Sequence, residues 1–174
     1  MNSTSTIPAL SQDEELKARV RNVHRKYPTG VTVVTTAVDG IPFGLAVNAF
    51  SSISMDPPLV LVCVNESAKS YPAVFEADHI GINILSSEQK AIAANFARSG
   101  GDKFSEIDWD ASTNGTPILA GLAGHFELEV KYKIPAYTHT IFIGEVVDAM
   151  FSENAPLVYQ DGRFFDGTKL EELD

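Results

Sequence analysis

The sequence is organised around residues 43–58, FGLAVNAFSSISMDPP, in which an apolar run passes into a segment of small and hydroxyl-bearing side chains. Two consecutive prolines close this segment, and a second apolar run follows at residues 59–64. Serine and asparagine offer hydrogen-bond donors and acceptors, and small side chains let a flat ligand approach the backbone. Composition alone is more typical of a polar loop between two strands, so both interpretations stand at this point.

The chain on both sides of this segment is rich in predicted strands. Residues 31–38 are mostly β-branched, Asp39-Gly40 is a strong hairpin signal, and residues 43–49 supply the return strand. Further strands are predicted at residues 59–64, 79–85, 125–134 and about 140–150, with a short final pair around Asp161-Gly162.

Residues 125–134 show the most regular alternation in the chain. A polar set on this strand alternates with an apolar set: His125, Glu127, Glu129, Lys131 and Lys133 against Phe126, Leu128, Val130, Tyr132 and Ile134. Successive side chains of a strand point to opposite faces of the sheet. The pattern therefore predicts one solvent-exposed face and one buried face.

The predicted helices are few and short. A capping-box pattern of Ser11 and Glu14 opens a helix over residues 12–26, a second covers residues 71–76, and a third runs from Ser86-Gln89 to Phe96. Between the last helix and the alternating strand, residues 99–121 have no clear periodicity, which is typical of a functional or mobile segment.

The order of these elements predicts the fold class. Six or seven strands with hairpin links do not fit alternating βαβ units, so we expect a mainly β fold, a closed or nearly closed antiparallel barrel with a few short flanking helices. We expect one domain over residues 11–174, preceded by a disordered tail over residues 1–10.

Charge and composition narrow the range of partners. Thirteen basic and twenty-three acidic side chains give a net charge of -10, which argues against nucleic-acid and anionic-membrane partners. The single cysteine, Cys63, allows no internal disulfide and makes a thiolate metal site implausible. The amino terminus has no signal-peptide pattern and no apolar run is long enough to span a membrane, so we expect a cytoplasmic protein.

Several common catalytic motifs are missing from the sequence. No G-x-G-x-x-G follows a strand, no P-loop is present, and no serine nucleophile elbow occurs. The histidines show no metal-ligand spacing: His24, His79, His125 and His139. Hydrolysis and metal catalysis are therefore disfavoured, and we expect no metal site.

Two polar features remain besides residues 48–54. Ser67-Ala68-Lys69-Ser70 directly follows a predicted buried strand, and one lysine with neighbouring hydroxyl and amide donors can bind a phosphate. As an isolated tetrapeptide it is more typical of a solvated turn. His139 begins an otherwise apolar strand, where a histidine is more often a surface or core residue than a catalytic one.

Taken in order, these segments resemble the flavin reductase-like family, the small NAD(P)H:flavin oxidoreductase components of two-component monooxygenases. The resemblance covers roughly residues 23–165 and is most specific in YPTGVTVVTT (27–36) and NAFSSISMDPPLV (48–60). Weaker matches are Gln89 with Asn95-Phe96-Ala97, Lys103-Phe104 and residues 139–146.

The resemblance implies a split β-barrel that binds FMN or FAD, usually as a homodimer with the flavin near the subunit interface. Thr29 and the backbone of residues 47–50 would line the isoalloxazine. Ser51 and Ser52 would contact the polar edge of that ring or the ribityl chain. Ser67, Lys69 and Ser70 would hold the phosphate, and Phe96 and Ala97 would lie near the flavin tail. The cofactor-binding set implied by the resemblance is therefore Thr29, Val47, Asn48, Ala49, Phe50, Ser51, Ser52, Ser67, Lys69, Ser70, Phe96 and Ala97.

The activity implied by the resemblance is hydride transfer from the nicotinamide C4 of NADH or NADPH to flavin N5, followed by delivery of the reduced flavin to a separate oxygenase. The cofactors carry the chemistry, so no side chain need act as a general acid or base. His139 is the candidate for positioning the nicotinamide, and Phe165 is a second candidate for binding it. Phe164, Phe165 or residues 99–121 could cover the site. Many relatives have Gly-Asp-His where this chain has Tyr137-Thr138-His139, so the imidazole loses an acidic neighbour.

Two other functions remain open. In the first, a tightly bound FMN reduces a different acceptor such as a corrinoid or a quinone, which needs the same pocket. In the second, the protein is a non-catalytic flavin-binding module, which the altered Tyr137-Thr138-His139 favours. A structural dimer without any ligand would leave the hydroxyl-rich segment unexplained.

Overall fold

A computed structural model describes residues 11–172, and the tail predicted for residues 1–10 lies outside this range. The twelve strands are β1 Thr29–Gly30, β2 Thr32–Val38, β3 Ile41–Val47, β4 Phe50–Met55, β5 Pro58–Asn65, β6 His79–Ile84, β7 Trp109–Ala111, β8 Pro117–Leu119, β9 Gly124–Ala136, β10 His139–Phe151, β11 Leu157–Gln160 and β12 Arg163–Asp166. The helices are α1 Gln12–His24, α2 Tyr71–Glu76 and α3 Lys90–Ala97, with 3₁₀ turns at Ser87–Gln89 and Gly167–Lys169.

Seven strands form the main sheet, in the order β3-β2-β6-β9-β10-β5-β4, and every neighbouring pair is antiparallel. The two edge strands, β3 and β4, are consecutive in the chain and are separated only by Asn48 and Ala49. The edges of the sheet must therefore approach each other at this corner, while β3 and β4 do not pair. The prediction of a mainly β, split antiparallel barrel with short flanking helices is confirmed.

The corner between β3 and β4 is fixed by two backbone hydrogen bonds. The Phe50 amide donates to the Asn48 carbonyl at 3.0 Å, and the Cys63 amide of β5 donates to the Ala49 carbonyl at 3.0 Å. The second bond ties the corner to the neighbouring strand. Residues 48 and 49 are thus held in place by the backbone, which leaves their side chains exposed.

Apolar side chains pack in two layers. The first layer fills the barrel interior and includes Val34, Leu45, Val62, Ile82, Leu128 and Phe142. The second lies where α3 and the following segment cover the outer face of β2 and β3, and includes Val33, Leu85, Phe96, Phe104, Leu119 and Leu157. Because β2 is buried on both faces, its residues form the nearly continuous β-branched run seen in the sequence.

Two strand regions were missed by the sequence pattern. Phe50–Met55 is an edge strand instead of a loop, with a register shift against β5 between Ser52 and Ser54. Within residues 99–121, which we expected to be irregular, Trp109–Ala111 and Pro117–Leu119 form a hairpin. Three-residue strands are too short to show alternation, and hydroxyl side chains on an exposed edge strand give no apolar period.

The face of β9 that we expected to be exposed is buried in its first half. His125 and Glu127 are each 1% exposed because the β7–β8 hairpin covers them. In the second half of the strand, the predicted buried face is open, with Tyr132 60% exposed and Ile134 45% exposed. The prediction of one wet and one dry face is therefore wrong, since the covering hairpin and the open end of the barrel are set by tertiary structure.

Glu127 holds the covering hairpin in place. Its carboxylate accepts hydrogen bonds from the hydroxyl of Ser112, the amide of Asn114 at 3.1 Å and the hydroxyl of Thr116 at 3.0 Å. Asn83 of β6 adds a second anchor, because its Oδ1 accepts the Leu119 amide at 3.0 Å. The hairpin is thus attached to the barrel through two buried polar residues of the sheet, Glu127 and Asn83.

His125 makes stability depend on pH. Neither ring nitrogen has a hydrogen-bond partner among the described residues, and burial lowers the pKa of the imidazole, against smaller opposing effects of Glu127 and Asp148. Below the unfolded-state pKa of about 6.5, the unfolded chain therefore binds more protons than the folded one, and stability is lost as the pH falls.

We expect the free energy of unfolding to decrease between about pH 7.5 and about pH 5.5, and His125→Phe to reduce that pH dependence. Denaturant titrations at several pH values measure it, with the exposed His24 replaced by Phe as the matched control. An unchanged slope in the His125 variant would show that other groups titrate.

Among the helices of residues 11–172, none combines the length and the apolar composition that crossing a membrane requires.

Candidate flavin site

The larger of two clefts along β3 lies at the first half of this strand and has a volume of about 530 Å³. Its walls come from β3, from the end of the loop after β5, and from the segment after α3. Among its lining residues are Gly44, Lys69, Ser70, Gly100 and Lys103. The structure therefore brings two lysines, distant in sequence, to one cleft.

Lys69 presents its ammonium to this cleft. The side chain is exposed and forms no salt bridge with any residue in the range 11–172. Its Nζ lies only 2.7 Å from the position that a Cβ on Gly100 would occupy, and Gly100 has a φ of +78°. Glycine at this position therefore lets the ammonium lie against the backbone of the segment after α3.

Lys103 is a cleft residue to which the sequence analysis assigned no role. Its Nζ donates to the carbonyl of Phe96 at 3.0 Å and to that of Gly44 at 3.3 Å, and burial lowers the pKa of its ammonium. The sequence showed Lys103 only as part of a weak family match. Its contact with β3, 59 residues earlier in the chain, has no local signal.

The two serines predicted to hold a phosphate differ in position. Ser70 lines the cleft but is only 7% exposed, and its hydroxyl donates to the Gly44 carbonyl at 2.8 Å. Ser67 is exposed outside the cleft lining, with both its amide and its hydroxyl 2.8 Å from the Asn65 side-chain oxygen. Both hydroxyls thus have partners within the protein.

A second cleft of about 190 Å³ lies at the β3–β4 corner. It is lined by residues before and at β1, by Thr32, and by the corner itself: Tyr27, Pro28, Thr29, Gly30, Thr32, Asn48 and Phe50. The hydroxyl of Thr29 is buried and has no hydrogen-bond partner within residues 11–172. A buried hydroxyl without a partner costs free energy, so a ligand with a polar edge suits this cleft.

The remaining predicted flavin residues fall into two groups. Val47 and Phe96 are buried in the two apolar layers, at 7% and 1% exposure, so their side chains serve packing. Ala49, Ser51, Ser52 and Ala97 are exposed near the corner, along β4 or at the end of α3. The structure therefore brings together Thr29, Asn48 and Phe50 in one cleft and Lys69 with Ser70 in the other.

His139 begins β10 and pairs with Asn65, beside the loop that carries Ser67 and Lys69. Its Nδ1 lies 2.9 Å from the hydroxyl of Thr138. No carboxylate of residues 11–172 forms a salt bridge with it. A hydroxyl therefore takes the neighbouring position at which the family resemblance implied an acid.

Phe165 lies in a different sheet from His139. It is 44% exposed on β12 and is opposite Val158 of β11, which in turn pairs with β1. Neither of the two clefts is lined by His139 or by Phe165. Within this chain, the two residues predicted to contact the nicotinamide are thus not brought together.

Comparison with known proteins agrees with this geometry. Residues 24–168 match the model of the flavin reductase like domain. The chain is 39% identical over 144 residues to FMN reductase (NADH) SmoA of Agrobacterium fabrum, covering 83% of this chain and 82% of that protein. It is also 39% identical over 148 residues to the reductase component of a 4-nitrophenol 4-monooxygenase/4-nitrocatechol 2-monooxygenase of Rhodococcus opacus, covering 85% and 80%.

A solved structure extends the comparison to three dimensions. The NADH:FAD oxidoreductase of Streptomyces globisporus, in complex with NAD and FAD fragments, superposes with a TM-score of 0.82 and 33% identity over 90% of this chain and 96% of that one. The chain belongs to the flavin reductase-like family.

Proposed function

We propose that this protein is an NAD(P)H:flavin oxidoreductase that reduces FMN or FAD and supplies the reduced flavin to a separate flavin-dependent monooxygenase. The observation that carries the proposal is the pair of clefts along β3, one at the start of the strand with two ammonium groups and one at the β3–β4 corner with a buried hydroxyl that has no partner among residues 11–172. Family membership and the names of the relatives support it.

The two clefts fit the two ends of a flavin mononucleotide. We call the smaller cleft, which contains Asn48, the ring cleft, and the larger one, which contains Gly44, the lysine cleft. A strand rises about 3.3 Å per residue, so Asn48 lies about 13 Å along the chain direction from Gly44. Lys69 and Lys103 would attract the phosphate, and Thr29 with Asn48 would contact the polar edge of the isoalloxazine. The hydroxyls of Ser51 and Ser52 are exposed on β4 for the ribityl chain.

The protein's part in the reaction is binding and alignment. A bound flavin would supply the acceptor for the nicotinamide hydride, and proximity and orientation of the two rings lower the barrier. His139 would position the nicotinamide, and Thr138 would orient its imidazole through Nδ1. No buried acid or base is required, which agrees with the exposed hydroxyl side chains of the corner.

Two further features accompany the proposal. Both clefts open to solvent at the surface of the chain, as expected for a flavin that binds and leaves. Exposed apolar side chains on β4 and β9, namely Ile53, Met55, Tyr132 and Ile134, support a homodimer.

His139→Ala is expected to raise the KM for the nicotinamide several-fold and to leave flavin affinity nearly unchanged. The reason is that His139 lies outside both clefts that we assign to the flavin. Steady-state kinetics at saturating flavin measure the KM, and flavin fluorescence quenching measures the affinity. His79→Ala, at the start of β6, is the control. A collapse of flavin binding in His139→Ala would place this residue in the flavin site instead.

The proposal is tested by mixing the dialysed protein with NADH and FMN under anaerobic conditions. Loss of the oxidised-flavin absorbance, with excess FMN turned over many times per protein, is the expected result. A flavin that stays bound through dialysis and is reduced only once would favour a prosthetic group with another acceptor. Flavin binding without any bleaching would favour the non-catalytic module.

A further inference from the structure

Positive charge is concentrated in one short part of this acidic chain. Five of its thirteen basic side chains, Lys17, Arg19, Arg21, Arg25 and Lys26, lie within ten consecutive residues that contain no acid. The whole chain has a net charge of -10. These residues belong to the second half of α1 and the turn that follows it.

The charges of α1 do not serve the packing of the protein. None of the residues of the helix is buried, and its apolar side chains remain open, with Leu16 51% and Val23 69% exposed. Basic residues in the last helical turn do complement the helix dipole, but that effect needs one or two charges and is weak at an exposed site. A local excess of cations therefore calls for another explanation.

Part of this excess surrounds a cleft of about 260 Å³. Arg21, His24 and Arg25 line one side, and Tyr159 with Asp161 of the β11–β12 hairpin lines the other. Arg25 is held by Asp161, with its Nε 3.6 Å from the carboxylate, and the Nε of Arg21 donates to the Lys17 carbonyl at 3.4 Å. Two guanidinium groups thus face one carboxylate, which leaves the cleft positive.

The cleft also contains aromatic rings and adjoins the ring cleft of the flavin site. Tyr27 lines both clefts and is 74% exposed. On the opposite wall, Tyr159 pairs in register with Thr29, whose hydroxyl is the unpaired one in the ring cleft. A ligand held beside α1 would therefore extend directly into the flavin site.

We propose that this cleft, formed by Arg21, Arg25, Tyr27 and Tyr159, binds the adenosine-phosphate half of a dinucleotide. Guanidinium groups bind phosphate oxygens in a bidentate manner, and an adenine base stacks on an exposed tyrosine ring. Two dinucleotides of the proposed reaction carry this half, the nicotinamide donor and FAD. The choice between these two dinucleotides rests on the proposed function, whereas the binding of an adenosine phosphate in this cleft does not.

The test compares the wild-type protein with the double variant Arg21→Gln/Arg25→Gln and with the matched control Arg19→Gln, which lies on the same helix outside the cleft. Calorimetric titration with ADP is the direct probe, and denaturant midpoints verify folding. We expect ADP to bind the wild type and the control, and to bind the double variant about tenfold or more weakly. Absence of ADP binding, or equal binding by all three proteins, would overturn the proposal.

Two further titrations identify the source of the adenosine phosphate. If FAD supplies it, the double variant loses affinity for FAD while its affinity for FMN is retained. If the nicotinamide donor supplies it, the KM for NADH at saturating FMN rises while kcat is retained, and a rise confined to NADPH assigns the cleft to the 2′-phosphate. ADP binding in a protein that reduces no flavin would support the cleft and refute the proposed function instead.

Discussion

Lys69→Ala is expected to weaken FMN binding by about 1–3 kcal/mol, which corresponds to a dissociation constant about 5- to 150-fold higher. The ammonium is exposed in the larger cleft, lies against Gly100 and forms no salt bridge within residues 11–172. A charge-assisted hydrogen bond to phosphate is therefore available to it without breaking a contact in the protein. Folding should be unaffected for the same reason.

Fluorescence quenching by FMN and by riboflavin separates the phosphate from the ring. Because riboflavin has no phosphate, the substitution should change FMN affinity and leave riboflavin affinity as it is. Lys90→Ala, which removes an exposed lysine of α3 that lies outside the cleft, is the matched control. Equal FMN affinity in the Lys69 variant and the wild type would remove Lys69 from the flavin site.

Glu127→Ala is expected to destabilise the protein by about 3 kcal/mol and to lower Tm by about 6–12 °C. The carboxylate is 1% exposed and is the acceptor for Ser112, Asn114 and Thr116. Its removal leaves the buried hydroxyl of Thr116 and the half-buried hydroxyl of Ser112 without their acceptor, and each such loss costs about 1–3 kcal/mol when water cannot compensate. The amide of Asn114 is exposed and can turn to water instead. The hairpin should loosen before the barrel unfolds.

Trp109, the single tryptophan of the chain, reports this loosening directly. It begins β7 and packs edge-on against Phe104, with ring centroids 5.9 Å apart. In Glu127→Ala, its emission should shift to the red at temperatures at which far-ultraviolet circular dichroism still shows the folded barrel. Glu129→Ala, two residues along the same strand in an exposed ion pair with Lys131, is the control. Coincident transitions in both probes would contradict local anchoring by Glu127.

The barrel was predictable because its strands carry local signals. Asp39-Gly40 predicted the β2–β3 hairpin, and in the structure Val38 lies opposite Ile41 across this turn. Apolar runs predicted β5 and β6, and the alternation of polar and apolar residues predicted β9. The order of the strands in the sheet, which places the consecutive strands β3 and β4 at opposite edges, depends on long-range pairing and has no local signal.

Burial by a neighbouring segment was the main feature that sequence could not supply. His125 and Glu127 have the spacing of exposed strand residues, and only the distant hairpin turns them into buried groups. The alternation of polar and apolar residues along β9 would be the same whether these two side chains were exposed or covered by another segment. The polar partners of Glu127 precede it by 11 to 15 residues in a segment without periodicity.

The candidate site was predictable in part. Thr29, Asn48 and Lys69 line clefts where the family motifs suggested, but Lys103 entered the site only through its contact with Gly44. Ser70, which we expected to hold a phosphate, has its hydroxyl occupied by that same carbonyl. Motif spacing gives the residues near a ligand, whereas hydrogen-bond partners within the protein decide which of them are free to bind it.

The central claim is that this protein reduces a flavin that binds and leaves. The most direct test is steady-state oxidation of NADH and of NADPH by the dialysed protein, with and without added FMN, FAD or riboflavin. We expect oxidation that requires added flavin and saturates with the flavin concentration. The same data identify the preferred nicotinamide and the preferred flavin. Flavin binding with no oxidation of either nicotinamide, or oxidation at full rate without added flavin, would contradict it.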